Sequence, residues 1–162
     1  MKTITDITFI IGAQKSGTTS LHSILTKNNE ICLPRIKETH FFSNQDKYKK
    51  GKEWYFEQFA NSKKLFCEVD PSYLFFSDSA SKIKKMFKHP KFIIVFRRPI
   101  ERAISHYFMS VNKKYEQLSF LNAIKSESER LRSDIDNFSY INHSYLSRGE
   151  YKKQIDRYIA EF

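Results

Sequence analysis

Three short stretches of this sequence gather the residue types that bind anions or move protons. The first is Gly12-Ala13-Gln14-Lys15-Ser16-Gly17-Thr18-Thr19, which follows an apolar run and precedes a helical pattern. It therefore joins a strand to a helix N-terminus, where unpaired backbone N–H groups and the helix dipole favour an anion. Gly17 lets the backbone approach closely, Ser16, Thr18 and Thr19 offer hydroxyl donors, and Lys15 adds a point charge on a flexible stem. The nucleoside-triphosphate loop reads G-x-x-x-x-G-K-S/T, whereas here the lysine precedes the second glycine, the wrong register for an ordinary kinase. The same residues also fit a tight strand-to-helix turn with Thr18 as N-cap.

The second stretch, Phe96-Arg97-Arg98-Pro99-Ile100-Glu101-Arg102-Ala103-Ile104-Ser105-His106-Tyr107, puts an arginine at a strand end and a serine in the helix that follows. A planar guanidinium binds phosphate through paired hydrogen bonds, so Arg97 and Ser105 make a second candidate anion site; the plainer reading is two arginines on a basic rim. The third, Pro34-Arg35-Ile36-Lys37-Glu38-Thr39-His40-Phe41-Phe42-Ser43, sets a carboxylate and an imidazole against an aromatic pair that belongs in a core. Glu38 there can be a positioned base, or half of an exposed Lys37–Glu38 pair beside a satisfied His40.

Positioning these stretches falls to short apolar runs. Residues 7–11, 65–69 and 92–96 read as buried strands, ended by Gly12, Pro71 and Pro99. Helical patterns occupy 18–27, 54–59 and 78–87. Another starts at Pro99 and should turn Ile100, Ala103, Ile104, Tyr107 and Phe108 inward. A helix opened by Ser119 repeats Phe120, Leu121, Ile124 and Leu131, and a terminal one after Gly149 carries Ile155, Tyr158, Ile159 and Phe162 on one stripe. Residues 112–119 and 134–143 read as surface loops. Strands alternating with helices imply an α/β fold in which a parallel sheet carries its ligand beyond the strands' carboxyl ends.

The chain has 162 residues, 28 Lys+Arg against 18 Asp+Glu, and a formal net charge of +10, which favours polyanionic or nucleotide partners. The lysine runs 47–52 and 82–85 read as solvated surface. Cys32 and Cys67 sit in apolar settings without metal-ligand spacing and read as buried free thiols, which suits a reducing compartment. No signal-peptide pattern, no membrane-spanning run and no metal-ligand cluster occurs in the sequence, so the expectation is a cytoplasmic chain that needs no metal.

Together the three stretches resemble the sulfotransferases that use 3'-phosphoadenosine-5'-phosphosulfate (PAPS), in particular the heparan-sulfate and bacterial carbohydrate branch. The resemblance implies a P-loop-like three-layer fold, a central parallel sheet flanked by helices, and PAPS as co-substrate. It places Lys15, Ser16, Gly17, Thr18 and Thr19 on the 5'-phosphosulfate and Arg97 with Ser105 on the 3'-phosphate. It makes Glu38 the general base and Lys15 the catalytic cation, and puts Lys37 and His40 on the acceptor side. The acceptor it implies bears a hydroxyl or amine and belongs to a carbohydrate; nucleic acid is not an expected partner. Glu68-Val69-Asp70-Pro71-Ser72-Tyr73 and Ser147-Arg148-Gly149-Glu150-Tyr151 resemble further landmarks. Val69, where several eukaryotic members have lysine, and Arg98, where an acidic or amide residue is common, depart from the pattern.

The resemblance also implies that residues 1–162 are the N-terminal and central part of a sulfotransferase domain, without its C-terminal strand and nucleotide-closing loop. On that reading the strand containing Phe9-Ile10-Ile11 takes residues 92–96 as one neighbour and a strand beyond Phe162 as the other. The rival functions are a P-loop nucleotide kinase and a non-catalytic basic module that binds polyanions. The early lysine counts against the first, and the lack of any RNP, KH or zinc-finger pattern counts against nucleic-acid forms of the second.

Overall fold

In the computed structural model, which describes residues 6–60, 65–134 and 137–162, the apolar run after Asp6 is a strand with partners on both sides. The elements in chain order are β1 (Ile7–Gly12), α1 (Thr18–Leu25), β2 (Ile31–Cys32), α2 (Gln45–Tyr48), α3 (Gly51–Glu57), β3 (Leu65–Val69), α4 (Ser79–Met86) and β4 (Lys91–Ile94). They continue with α5 (Pro99–Asn112), α6 (Phe120–Arg132), α7 (Phe138–Asn142), a 3-10 turn at Ser147–Gly149, and α8 (Tyr151–Glu161). The strands form one parallel sheet of four in the order β2-β3-β1-β4. The expected α/β architecture with flanking helices is therefore present, but the second neighbour of β1 is β3, not a strand beyond Phe162, and among the described residues the edge strands are β2 and β4.

Contacts divide the chain into two compact units, Met1–Phe96 with Lys152–Phe162, and Arg97–Tyr151. The first is organised around Phe9, which is fully buried and meets the rings of Phe42, Tyr73, Phe87 and Phe92 at centroid separations of 5.6–6.3 Å. Aromatic pairs of this kind, edge-to-face with Phe42, Tyr73 and Phe87 and stacked with Phe92, add about 0.5–1.5 kcal/mol beyond the area they bury. On the other face of the strand, Ile10, Cys67 and Val69 pack with Leu21 and Leu25 of α1, which fixes the helix behind the first candidate loop. Both cysteines are buried and free. In α8, Tyr158 donates its hydroxyl to the Tyr73 carbonyl at 2.9 Å, and Arg157 donates to the carbonyls of Leu74 and Phe75.

In the second unit Ala103, Ala123 and Tyr145 form the core. The buried face of α5 is Arg102, Ala103, His106 and Ser110, while the expected inward residues Ile100, Ile104 and Phe108 are exposed. The apolar period is real, but the packed stripe lies beside it, because Arg102 donates to the Tyr145 carbonyl and Ser110 Oγ to the Asn142 carbonyl at 2.6 Å. Leu121, Ile159 and Phe162 are exposed as well, against expectation. The stretch 134–143 contains α7 instead of being loop throughout; residues 135 and 136 lie outside the described residues. Lys82 is buried instead of solvated: Asp78 pairs with its ammonium at 2.6 Å and the Tyr48 ring lies 4.9 Å from it.

Candidate active site

The first candidate loop leaves β1 through Gly12, whose φ is +157°; a Cβ there would lie 3.0 Å from Leu74 Cβ and 3.3 Å from the Pro71 carbonyl. Glycine is required because the chain after β3 packs directly on it, held by the Leu74 N–H to the Ile11 carbonyl at 2.9 Å. Ala13 donates to the Val95 carbonyl and Val95 to the Gly12 carbonyl, both at 2.8 Å, so the loop is tied to β4's exit as well. The N-cap of α1 is Gly17, with φ 93° and no side-chain cap, so the turn with Thr18 as N-cap is not what forms. Open space surrounds Gly17 where a Cβ would stand, at a helix end whose first-turn N–H groups have no intrahelical acceptor.

Ser16 is 9% exposed, and its Oγ has no hydrogen-bond partner among the described residues. A buried hydroxyl without a partner costs about 1–3 kcal/mol, so it marks a place built for an acceptor. Lys15 is half-buried and holds φ 69°, a left-handed conformation that costs a non-glycine residue about 1–3 kcal/mol and concentrates at functional sites. The loop thus offers a hydroxyl, an ammonium and helix-terminal N–H groups, a donor set that suits a phosphate or sulfate ester.

The third stretch forms a loop in the same unit. Lys37 Nζ donates to Thr19 Oγ1 at 3.0 Å and pairs with Glu38 Oε1 at 2.9 Å, so one ammonium links the N-terminal turn of α1 to the candidate base. Glu38 and His40 both have positive φ, 55° and 53°. Between them Thr39 is fully buried and donates its hydroxyl to Glu68 Oε1 at 2.5 Å, while Lys47 Nζ donates to the Thr39 carbonyl at 2.8 Å. His40 donates its backbone N–H to Asp70 Oδ2 at 2.7 Å and sets Nδ1 3.1 Å from the same oxygen.

Beneath this loop lie two carboxylates to which the sequence reading gave no role. Glu68, paired with Phe9 in the parallel register, accepts hydroxyls from Thr39, Tyr55 and Tyr73 at 2.5, 2.6 and 2.9 Å. Burial and the neighbouring Asp70 charge push its carboxyl up to about 7, and the three hydroxyls offset only part of this. Asp70, also fully buried, accepts the N–H of Ser72 as well as that of His40. For His40, burial lowers the imidazole's affinity for a proton, but its hydrogen bond to Asp70 and that residue's charge carry it above the ordinary value. The signal for both acids was available: Glu68-Val69-Asp70 ends an apolar strand, and a buried acid must have partners.

In the second unit, Arg97 is exposed and its Nε lies 3.3 Å from Glu101 Oε2, while Tyr151 donates its hydroxyl to the Arg97 carbonyl at 2.9 Å. Ser105 is half-buried on α5. Arg97, Glu101 and Ser105 recur at spacings of four residues, so they follow one side of the helix and its entry. Among the described residues, no group of three or more His, Cys, Asp or Glu is placed to hold a metal ion, and no helix is long and apolar enough to cross a membrane.

Comparison with known proteins accords with this geometry. The sulfotransferase domain family matches residues 5–161. A crystal structure of a sulfotransferase from Alicyclobacillus acidocaldarius superposes with a TM-score of 0.82 at 30% identity, over 96% of this chain and 68% of that one. Curated relatives include the membrane-associated sulfotransferase kil1 of Dictyostelium discoideum, 31% identical over 89% of this chain and 32% of its own length. Heparan sulfate glucosamine 3-O-sulfotransferase 5 of Mus musculus is 30% identical over 94% of this chain and 44% of its own length. The chain spans less than half the length of these two relatives. With the parallel sheet, the loop at the end of β1 and a family match running almost from end to end, the chain belongs to the sulfotransferase domain family.

Proposed function

We propose that this chain carries the donor-binding and catalytic groups of a PAPS-dependent sulfotransferase acting on a hydroxyl of a carbohydrate. The observation that carries the reading is the loop at the end of β1, where the buried Ser16 hydroxyl has no partner among the described residues, beside Lys15 and the N-terminus of α1. PAPS supplies an activated sulfuryl group. Lys15, Ser16, Gly17, Thr18 and Thr19 hold its 5'-phosphosulfate end, and Arg97 and Ser105 are the groups proposed for its 3'-phosphate. Lys37 and His40 serve the acceptor.

In this reading Glu38 takes the proton of the acceptor hydroxyl as the oxygen bonds to sulfur, and the bond from sulfur to the bridging phosphate oxygen breaks. A positioned base of this kind contributes about 10²- to 10⁴-fold. Lys15 meets the negative charge that grows on the departing phosphate oxygen, a charge absent from the ground state. Lys37 aims Glu38 toward the α1 end of the site, since its ammonium touches Thr19 and the carboxylate together.

The test is Lys15→Ala. Transfer should fall by about 10²- to 10³-fold, as when a transition-state donor is removed, while affinity for PAPS, whose bridging oxygen does not yet carry the charge of the transition state, falls by less than about tenfold. Equal losses in the two assays would remove Lys15 from catalysis.

A further inference from the structure

Asp70 has no part in the proposed chemistry, yet it is paired with His40, which that reading places on the acceptor. His40 stands two residues from Glu38, and its side chain is 38% exposed while that of Asp70 is 0% exposed. One Asp70 oxygen receives both the His40 backbone N–H, at 2.7 Å, and the ring's Nδ1, at 3.1 Å, while the other accepts the Ser72 N–H at 3.0 Å. The carboxylate therefore fixes His40 at both main chain and ring, in a backbone conformation with φ 53° that the residue would not hold by itself. With Nδ1 committed, Nε2 is the nitrogen left for a substrate.

We infer that Asp70 is a positioning residue for His40, holding the ring by Nδ1 so that Nε2–H is offered to an anionic group, a carboxylate or sulfate, on the acceptor. This rests on the reading of the chain as a sulfotransferase and specifies what its acceptor must carry beside the reacting hydroxyl. The charged groups that face His40 are Asp70 from the end of β3, Glu38 from its own loop and Lys47 from α2. Asp70 and Glu38 favour the imidazolium, whereas burial and Lys47 oppose it. The balance lies above the ordinary value of 6.5, so the cation persists to higher pH than in a free histidine and is lost as pH rises through the shifted value. A buried carboxylate whose other partners are neutral N–H groups needs a cation, and His40 supplies it.

The experiment follows the His40 ring proton by NMR between about pH 5 and 9 in the full chain and in Asp70→Asn, with His40→Gln assigning the signal. Binding of adenosine 3',5'-bisphosphate and of a glucuronate-containing heparan oligosaccharide is measured alongside. The wild-type ring should titrate above 6.5. In Asp70→Asn its proton affinity should drop about tenfold or more, one pKa unit being a factor of ten. The pH at which the oligosaccharide is released should move down with it, and His40→Gln should bind the oligosaccharide about tenfold more weakly with no such pH dependence.

Bisphosphate affinity should stay within about twofold in both variants, since neither residue is placed on the nucleotide. An unmoved titration in Asp70→Asn would overturn the inference, as would losses of oligosaccharide binding that multiply when the two substitutions are combined. If Asp70→Asn does not fold, the wild-type titration decides, and a ring titrating at or below the ordinary value is the contrary result. Failure to bind bisphosphate with the titration shift intact would count against the sulfotransferase reading and leave the pair standing.

Discussion

Glu68 in the first unit and Glu116 in the second are both buried acids surrounded by hydrogen-bond donors, yet they are driven in opposite directions. Glu116 accepts from Arg130 Nη1 at 2.5 Å, from the Tyr145 hydroxyl at 2.9 Å and from the N–H groups of Gln117 and Leu118. Burial works against its ionisation, but the guanidinium and these donors outweigh it and hold the carboxyl down at about 2. Glu68 has three hydroxyl donors and, among the described residues, no cation paired with it, and burial with the charge of Asp70 drives it up to about 7. Hydroxyls satisfy lone pairs without neutralising charge, so the number of hydrogen bonds does not set the ionisation; the charge of the partner does. The second unit is thus braced by a fixed ion pair, while the acid beneath the Glu38–His40 loop changes charge near neutrality.

The sharpest way to break this contrast is Glu116→Ala, which strands Arg130 and removes the acceptor of five hydrogen bonds. It should cost about 3 kcal/mol or more in denaturant unfolding, the range for breaking one side of a buried pair. Because the folded carboxyl lies below its ordinary value, its stabilisation is complete above about 4.5 and lost as pH falls toward about 2, so the variant should also flatten the acid limb of the stability profile. A loss below about 1 kcal/mol would make it no more than a surface bridge.

A smaller effect is expected from Glu68→Gln, which keeps an oxygen for Thr39 and Tyr73. Near neutrality the change should be within about 1 kcal/mol. Its signature is in the pH profile. The folded carboxyl is raised, so the native state holds a proton that the unfolded chain has released, and wild-type stability falls as pH rises from about 4.5 through about 7. Glu68→Gln should remove that slope while leaving the acid limb governed by Glu116 unchanged, and a slope that persists would assign it to another group.

Much of the first unit was legible in the sequence. Short apolar runs bounded by Gly12, Pro71 and Pro99 marked β1, β3 and β4, and the glycine and hydroxyl spacing marked the loop, because those residues meet local demands of backbone and packing. What escaped depended on partners far along the chain. The two-residue β2 exists through its pairing with β3, and the short α2 through the Asn44 side chain that accepts the Lys47 N–H. On α5, periodicity identified an apolar stripe at Ile100, Ile104 and Phe108, but packing engages the neighbouring stripe of Arg102, His106 and Ser110, whose polar atoms no sequence pattern reads as core. Glu68 and Asp70 were visible as acids at the end of a buried strand, but the partners that give them roles lie about thirty positions earlier, at Thr39 and His40.

The central claim is that the loop at the end of β1 binds the phosphosulfate end of a 3'-phosphorylated nucleotide. Calorimetry of the full chain with adenosine 3',5'-bisphosphate, with and without magnesium, and with ATP–magnesium as the comparison, tests it most directly. The account predicts saturable bisphosphate binding that does not require magnesium, is weakened when Ser16 is replaced by alanine, and exceeds the affinity for ATP–magnesium. No bisphosphate binding, or tighter magnesium-dependent binding of ATP, would contradict it.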